Sequence, residues 1–286
     1  MTTLAVARPR DLDAIHALMA QDAPLHFLAG GTDMLIAGRD RPQTGIVVDL
    51  GQVGALRGVS VAGGQIRIGA ATTVATLADD PALNAAFPAL AQAAAQCGSV
   101  QIRNRATIGG NIAQAAAAAD LLPPLWAAGA RLEIRDRSGR RNIALQDHVA
   151  TPGALIAAVL VPLPDPTPQS GFAKLGTRRD LIIAKLNLAM LMQADGDRIT
   201  DLRIVAGALG PRPIRLQRAE ASLRGNSIST ATLQGFARAL TGEVDAAIPD
   251  RPSRAWKRRA IVGLGFDVIA AITGRNPRDP LFSGGL

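Results

Sequence analysis

The stretch VPLPDPTPQSG, Val161 to Gly171, constrains this chain most, because four prolines occupy alternate positions from Pro162 to Pro168. Each proline fixes φ and removes a backbone donor, so the stretch predicts a break in regular structure. Two domains follow, an N-terminal one over residues 1–165 and a C-terminal one over residues 170–286. With 286 residues, 48% of them hydrophobic, there is enough apolar side chain for a sizeable core in each.

Periodicity fills in the elements. Leu12, Ile15, Leu18 and Met19 fall at helical spacing, and PLHFLAGGTDMLI predicts a short apolar strand running into glycines. Phe87 to Gln96 predicts an alanine-rich helix. Beyond the prolines, IIAKLNLAMLMQADGDRITDLRIVAGAL predicts a strand or two with a turn at Asp195 to Asp197, and two helical segments follow near the C-terminus. There is no internal repeat.

Several function classes drop out. No apolar run approaches the roughly 18 residues of a membrane span. The N-terminus MTTLAVARPRDLDAIHALM lacks the basic region and continuous apolar stretch of a signal peptide, so a cytoplasmic location is expected. A lone cysteine, Cys97, excludes an internal disulfide and any Cys-based zinc or iron–sulfur site built by this chain alone. His16, His26 and His148 show no ligand spacing, so no metal site is expected. The net charge of +8 invites a nucleic-acid reading. Against it, the arginines are spread along the chain, aromatic residues make up 3%, and there is no tyrosine. The densest basic patch, RAWKRR at Arg254 to Arg259, precedes the apolar AIVGLGFDVIAAI and reads first as a helix start or an interface edge.

Two glycine pairs remain: LAGGTD, Leu28 to Asp33, and TIGGNIAQA, Thr107 to Ala115. Without a Cβ, the backbone can bring its N–H groups up to a phosphate, and two such loops could clamp one pyrophosphate. Thr32, Thr107 and Asn111 would add side-chain donors, and Ala113 with Ala115 to Ala119 would keep a low wall beside an extended ligand. Asp120 suits a sugar or ribityl hydroxyl better than a phosphate. Neither loop matches the G-x-G-x-x-G fingerprint or the Walker lysine motif.

The segments LAGGTDMLI, IGAATTVATLAD, CGSVQIRNRATIGGNIAQAAAAADLLPPL and FAKLGTRRDLIIAKLNLA together resemble the FAD-binding medium subunit of bacterial molybdenum hydroxylases. That group includes carbon monoxide dehydrogenase medium subunits, nicotinate dehydrogenase FAD subunits and the flavin domain of xanthine dehydrogenase. The resemblance covers nearly the whole chain. It implies an α+β fold, with a two-part FAD-binding domain of the vanillyl-alcohol-oxidase type and a smaller C-terminal domain with an antiparallel sheet and helices. It places the first FAD loop on Leu28, Ala29, Gly30, Gly31, Thr32 and Asp33, whose backbone amides would hold the pyrophosphate. The second falls on Thr107, Gly109, Gly110, Asn111 and Asp120. Relatives commonly carry glycine where this chain has Ala106, which leaves the loop intact if φ there is negative. Ile156 matches a flavin-contacting aliphatic position, with core packing as the alternative.

Lys174 matches a lysine near the cofactor. Its apolar neighbours make an unpaired ammonium costly, so an anionic or carbonyl partner such as the flavin is expected. Where animal xanthine dehydrogenases place an aromatic ring over the flavin, this chain has Cys97 followed by Gly98: either a buried inert thiol or, if the site is open, a thinly covered face that an acceptor could approach. Asp180 and Lys185 match a loop bordering the flavin on the acceptor side, with a surface ion pair as the alternative.

Function follows from the same resemblance. FAD in this chain would carry electrons from two 2Fe-2S clusters of a small partner subunit to an external acceptor, while a large molybdenum-pterin subunit oxidises the substrate. The Arg-rich, apolar C-terminal helices are expected as exposed docking surfaces for an acidic partner. Two alternatives stay open: a stand-alone FAD-dependent reductase or oxidase, and a basic nucleic-acid-binding protein.

Overall fold

The computed structural model describes residues 4–36, 41–177, 183–276 and 278–283. Asp11 starts the first helix, Leu12–Met19, its carboxylate accepting the Ala14 N–H at 2.8 Å. Ile15 and Met19, four residues apart, face inward and are buried. This helix belongs with a parallel three-stranded sheet in which Gly45–Asp49 lies between Leu4–Ala7 and Leu25–Leu28.

The second unit is an antiparallel five-stranded sheet, ordered Val59–Ala62, Gln65–Gly69, Leu155–Pro162, Arg131–Asp136 and Gly139–Ala144. The helices between residues 74 and 127 cover one of its faces, with Ile66, Ile68, Val159, Leu132 and Ile134 in the shared core. The alanine-rich helix runs Pro88–Ala95, with Phe87 and Gln96 as its caps.

The proline stretch is irregular over a shorter span than the sequence suggests. The strand Leu155–Pro162 ends on a proline, where no further ladder bond is required, and Gln169–Leu175 resumes as a strand one residue after Pro168. Gln169–Leu175 opens the third sheet, pairing antiparallel with Leu186–Asp195, which pairs with Arg198–Gly207, which pairs with Ile214–Arg215. The expected turn is the two-residue link Gly196–Asp197, with Gly196 at φ +54°.

Leu186–Asp195 is buried continuously from Leu186 to Met192 because both of its faces are covered. Leu188 and Met190 face the C-terminal helices, while Ala189 and Leu191 join the core of the five-stranded unit. The third sheet is thus a shared wall between the two halves of the chain.

The C-terminal helices, Thr230–Ala247 and Arg254–Thr273, correct one expectation. Ile261, Val262, Phe266, Val268 and Ile269 are buried rather than exposed. Arg254 and Arg258 reach Asp245 at 3.7 and 3.2 Å, and Lys257 is buried, so this segment is not a free apolar and cationic docking face. Among the described residues no helix is long and apolar enough to cross a membrane.

Candidate functional site

The first glycine loop follows directly from the strand Leu25–Leu28. Gly31 has φ +73°, a left-handed conformation that favours glycine. Gly30 rests on the chain just before the second loop, so close that a Cβ there would lie 1.9 Å from the Arg105 carbonyl oxygen. That contact brings the two loops together. Among the described residues, the backbone N–H groups of Gly30, Gly31 and Thr32 meet no acceptor. Three adjacent donors of this kind could hold an anion. Asp33 accepts from the Gln114 side chain at 3.1 Å.

The second loop is built differently. Thr107 caps the helix Ile108–Gln114 by accepting from the Gly110 N–H at 3.1 Å. The Gly109 N–H donates to the Ala70 carbonyl at 2.9 Å, and the Asn111 N–H to the Thr107 carbonyl at 2.9 Å. These amides are already used, so the second loop offers no matching nest, a correction to the two-loop clamp of free N–H groups. Gly109 is there for packing, since a Cβ would fall 2.7 Å from the Ala70 methyl carbon. Gly110 is exposed on the cavity wall. The chain leaves this helix through Ala115 at φ +48°, a left-handed turn that the alanine run gave no sign of. Ala106 has no positive φ, so alanine is accommodated there.

Both loops line one cavity of about 770 Å³, together with Cys97, Gly98, Ala116, Ala118, Ala119 and Asp120. Leu28, Ala29, Gly30, Gly31, Thr32, Asp33, Thr107, Gly110 and Asn111 all contribute to its wall. The Asn111 Oδ1 is buried without a hydrogen-bond partner. Gly109 and Ile156 instead line a neighbouring cavity of about 240 Å³, and Ile156 belongs to the core of the five-stranded unit. Lys185 is exposed and does not line the large cavity. Asp180 lies outside the described residues.

Lys174 finds its partner within the chain. Its ammonium donates to Asp120 Oδ2 at 2.6 Å and to the Gln96 carbonyl at 2.9 Å. Asn187 completes the group by donating to Asp120 Oδ1 at 3.0 Å. Side-chain exposures of 7% for Lys174 and 6% for Asp120 make this a buried ion pair. Burial raises the pKa of Asp120 from its ordinary value, while Lys174 and Asn187 pull it back. Asn187 did not emerge from the sequence reading, although it is the lone polar residue in the run Leu186–Met192, and a polar side chain there needs a partner.

Cys97 stands beside this pair. Burial, with the Asp120 charge second, pushes its thiol up to about 11 from an ordinary value near 9.0. The thiolate is the nucleophile, so at pH 8 native Cys97 is expected to react with iodoacetamide about 100-fold more slowly than in the unfolded chain, with a rate that climbs only towards pH 11. Mass-spectrometric alkylation rates in buffer and in denaturant check this. Equal rates would place the thiol in open solvent.

Three adjacent N–H groups with no acceptor among the described residues, an orphaned buried acceptor and a cavity within the usual range of about 300–1,000 Å³ suit a nucleotide-type cofactor on an α+β frame. Comparison with known proteins makes the class specific. Residues 2–164 match the model of the FAD binding domain in molybdopterin dehydrogenase, and residues 172–272 that of the CO dehydrogenase flavoprotein C-terminal domain. The chain belongs to the family of FAD-binding subunits of molybdopterin dehydrogenases. It is 32% identical over 270 residues to the xanthine dehydrogenase FAD-binding subunit of Escherichia coli O157:H7, covering 90% of this chain and 91% of that one. To the nicotinate dehydrogenase FAD-subunit of Eubacterium barkeri it is 28% identical over 284 residues, covering 93% and 96%. The carbon monoxide dehydrogenase structure from Hydrogenophaga pseudoflava shares the fold, with a TM-score of 0.83 at 24% identity over 96% of this chain and 98% of that one.

Proposed function

We propose that this chain is the flavin-bearing relay of a three-subunit molybdenum hydroxylase, taking electrons from the 2Fe-2S clusters of a small partner subunit and handing them to an external acceptor. A large partner subunit with a molybdenum-pterin cofactor would oxidise the substrate. The observation that carries the cofactor assignment is the row of unpaired N–H groups on Gly30, Gly31 and Thr32, set in a cavity with the orphaned Asn111 oxygen. When bound, FAD supplies chemistry that joins one-electron donors to one- or two-electron acceptors.

This chain's residues would do the following. The Leu28–Asp33 loop binds the pyrophosphate through its amides. Gly110 keeps the opposite wall low, and Asn111 Oδ1 accepts from a cofactor hydroxyl or amide. Cys97 and Gly98 border the ring system without covering it. Asp120, held by Lys174 and Asn187, fixes the wall where the two halves of the chain meet. With one cysteine the chain cannot ligate an iron–sulfur cluster alone, so any electrons delivered through such a cluster come from another polypeptide.

The test is anaerobic flavin bleaching by substrate, measured on this chain alone and on the complex with its co-expressed neighbours. The lone chain is expected to hold FAD and stay yellow, while the complex bleaches. Equal bleaching rates would replace the relay with a self-sufficient flavoenzyme.

A further inference from the structure

Both ring nitrogens of His148 are buried, and neither meets a hydrogen-bond partner among the described residues. Orphaned buried polar groups are rare in folded proteins and call for a reason. Burial first, and then the charge of Arg212, hold the imidazole below its ordinary pKa. At neutral pH the ring is therefore uncharged, with one nitrogen a donor and the other an acceptor. Arg212 is itself committed, stacked 5.2 Å from the Trp126 ring centroid and bonded to the Gln146 carbonyl.

His148 lines the cavity of about 240 Å³ that adjoins the larger one. The two cavities share Phe27, Ala29, Thr107, Gly110 and Ala113, so they meet beside the N–H groups of Gly30, Gly31 and Thr32. Leu25, Leu50, Leu155 and Ile156 give the smaller one apolar walls. The Thr107 hydroxyl accepts from the Gly110 N–H, and the Thr151 hydroxyl donates to the Val149 carbonyl at 3.1 Å, so these two polar side chains bond within the chain. An apolar pocket that keeps one donor and one acceptor unused suits a heteroaromatic base, whose faces are apolar and whose edge carries both kinds of group.

We propose that His148 is a specificity-determining residue for the cofactor: its imidazole hydrogen-bonds the edge of the adenine, which the smaller cavity encloses. The inference rests on the cofactor reading above. The two ends of a dinucleotide leave its pyrophosphate in different directions. With the pyrophosphate on Gly30, Gly31 and Thr32 and the ring system beside Cys97 and Gly98, the smaller cavity is the adjoining space left for the adenosine half. Adenine presents the N6 amine as a donor and ring nitrogens as acceptors, so either nitrogen of a neutral imidazole has a match.

Calorimetric titration of the apoprotein with FAD, ADP and pyrophosphate tests this without calling on electron transfer. ADP is expected to bind, because it carries both the base and the pyrophosphate. His148→Phe keeps an aromatic ring in place and removes both nitrogens. It should weaken FAD and ADP about tenfold, leave pyrophosphate unchanged, and not lower the unfolding midpoint. A second measurement needs no change at His148: with isotope-labelled histidine, nuclear magnetic resonance should show ADP shifting the ring-nitrogen signals of His148. Those of His16 and His26, which do not line this cavity and are assigned through His16→Gln and His26→Gln, should stay in place. Equal affinity of parent and variant for ADP, equal weakening of pyrophosphate, or His148 signals that ADP leaves unmoved would each overturn the base contact. A protein that binds none of the three ligands fails the cofactor reading itself, whereas one that binds FAD and pyrophosphate without involving His148 fails this inference alone.

Discussion

Gly110→Val is expected to yield a folded protein that no longer retains FAD. Outside its own helix backbone, the one atom of the described residues within 4 Å of a Cβ at this position is Thr107 Oγ1, at 3.1 Å, so the cap hydroxyl has to give way slightly. Valine also forms helix somewhat better than glycine, which offsets that strain. Its two methyl groups would extend the exposed wall of the cavity into cofactor space. Overpacking of about 2–3 kcal/mol corresponds to a roughly 30- to 150-fold loss of affinity.

Gly30→Val makes the contrast. Its Cβ meets the Arg105 backbone, at 1.9 Å from the oxygen and 2.6 Å from the carbonyl carbon, so the loop itself must move. That variant should lose both FAD and thermal stability. The ratio of flavin to protein absorbance and the unfolding midpoint of the apoprotein check both variants. Full flavin occupancy in Gly110→Val would remove this wall from the cofactor site.

The second large effect is on stability. Asp120→Ala leaves Lys174 buried at 7% exposure with only the Gln96 carbonyl as partner. Breaking one side of a buried pair costs about 3–5 kcal/mol, which for a chain of this size lowers Tm by roughly 6–20 °C. Asn187 loses its acceptor at the same time. Replacing both charges, in Asp120→Ala/Lys174→Met, is expected to recover much of the loss, because two apolar groups leave no uncompensated ion. Thermal unfolding of the two single variants and the double variant closes the cycle. A double variant as unstable as the sum of the singles would mean that the pair contributes no coupling. The pair bridges residues 54 apart in sequence, so its loss should also loosen the contact between the third sheet and the cofactor wall.

The sequence by itself determined the features that depend on backbone chemistry within a few residues. Proline spacing marked where one sheet is left for the next, Gly196 and the charges around it marked the hairpin, and the glycine pairs marked the two loops that wall the cavity. One cysteine settled that no iron–sulfur cluster could be built from this chain alone. Each of these follows from what a residue's own backbone or side chain permits, so neighbours suffice to read it.

Tertiary structure decided how those residues are used. TIGGN looks as open to an anion as AGGTD, yet its amides are occupied by Ala70 and Thr107, while Gly30, Gly31 and Thr32 keep theirs unpaired among the described residues. Lys174 called for an anionic partner, but only the fold could supply Asp120 and Asn187, which lie on separate segments of the chain. Within RAWKRR, helix phase and packing bury Lys257 while Arg254 and Arg258 reach Asp245. The physical reason is common to all three: a polar group's function depends on which acceptors remain unused after burial, and burial is a property of the packed molecule rather than of local sequence.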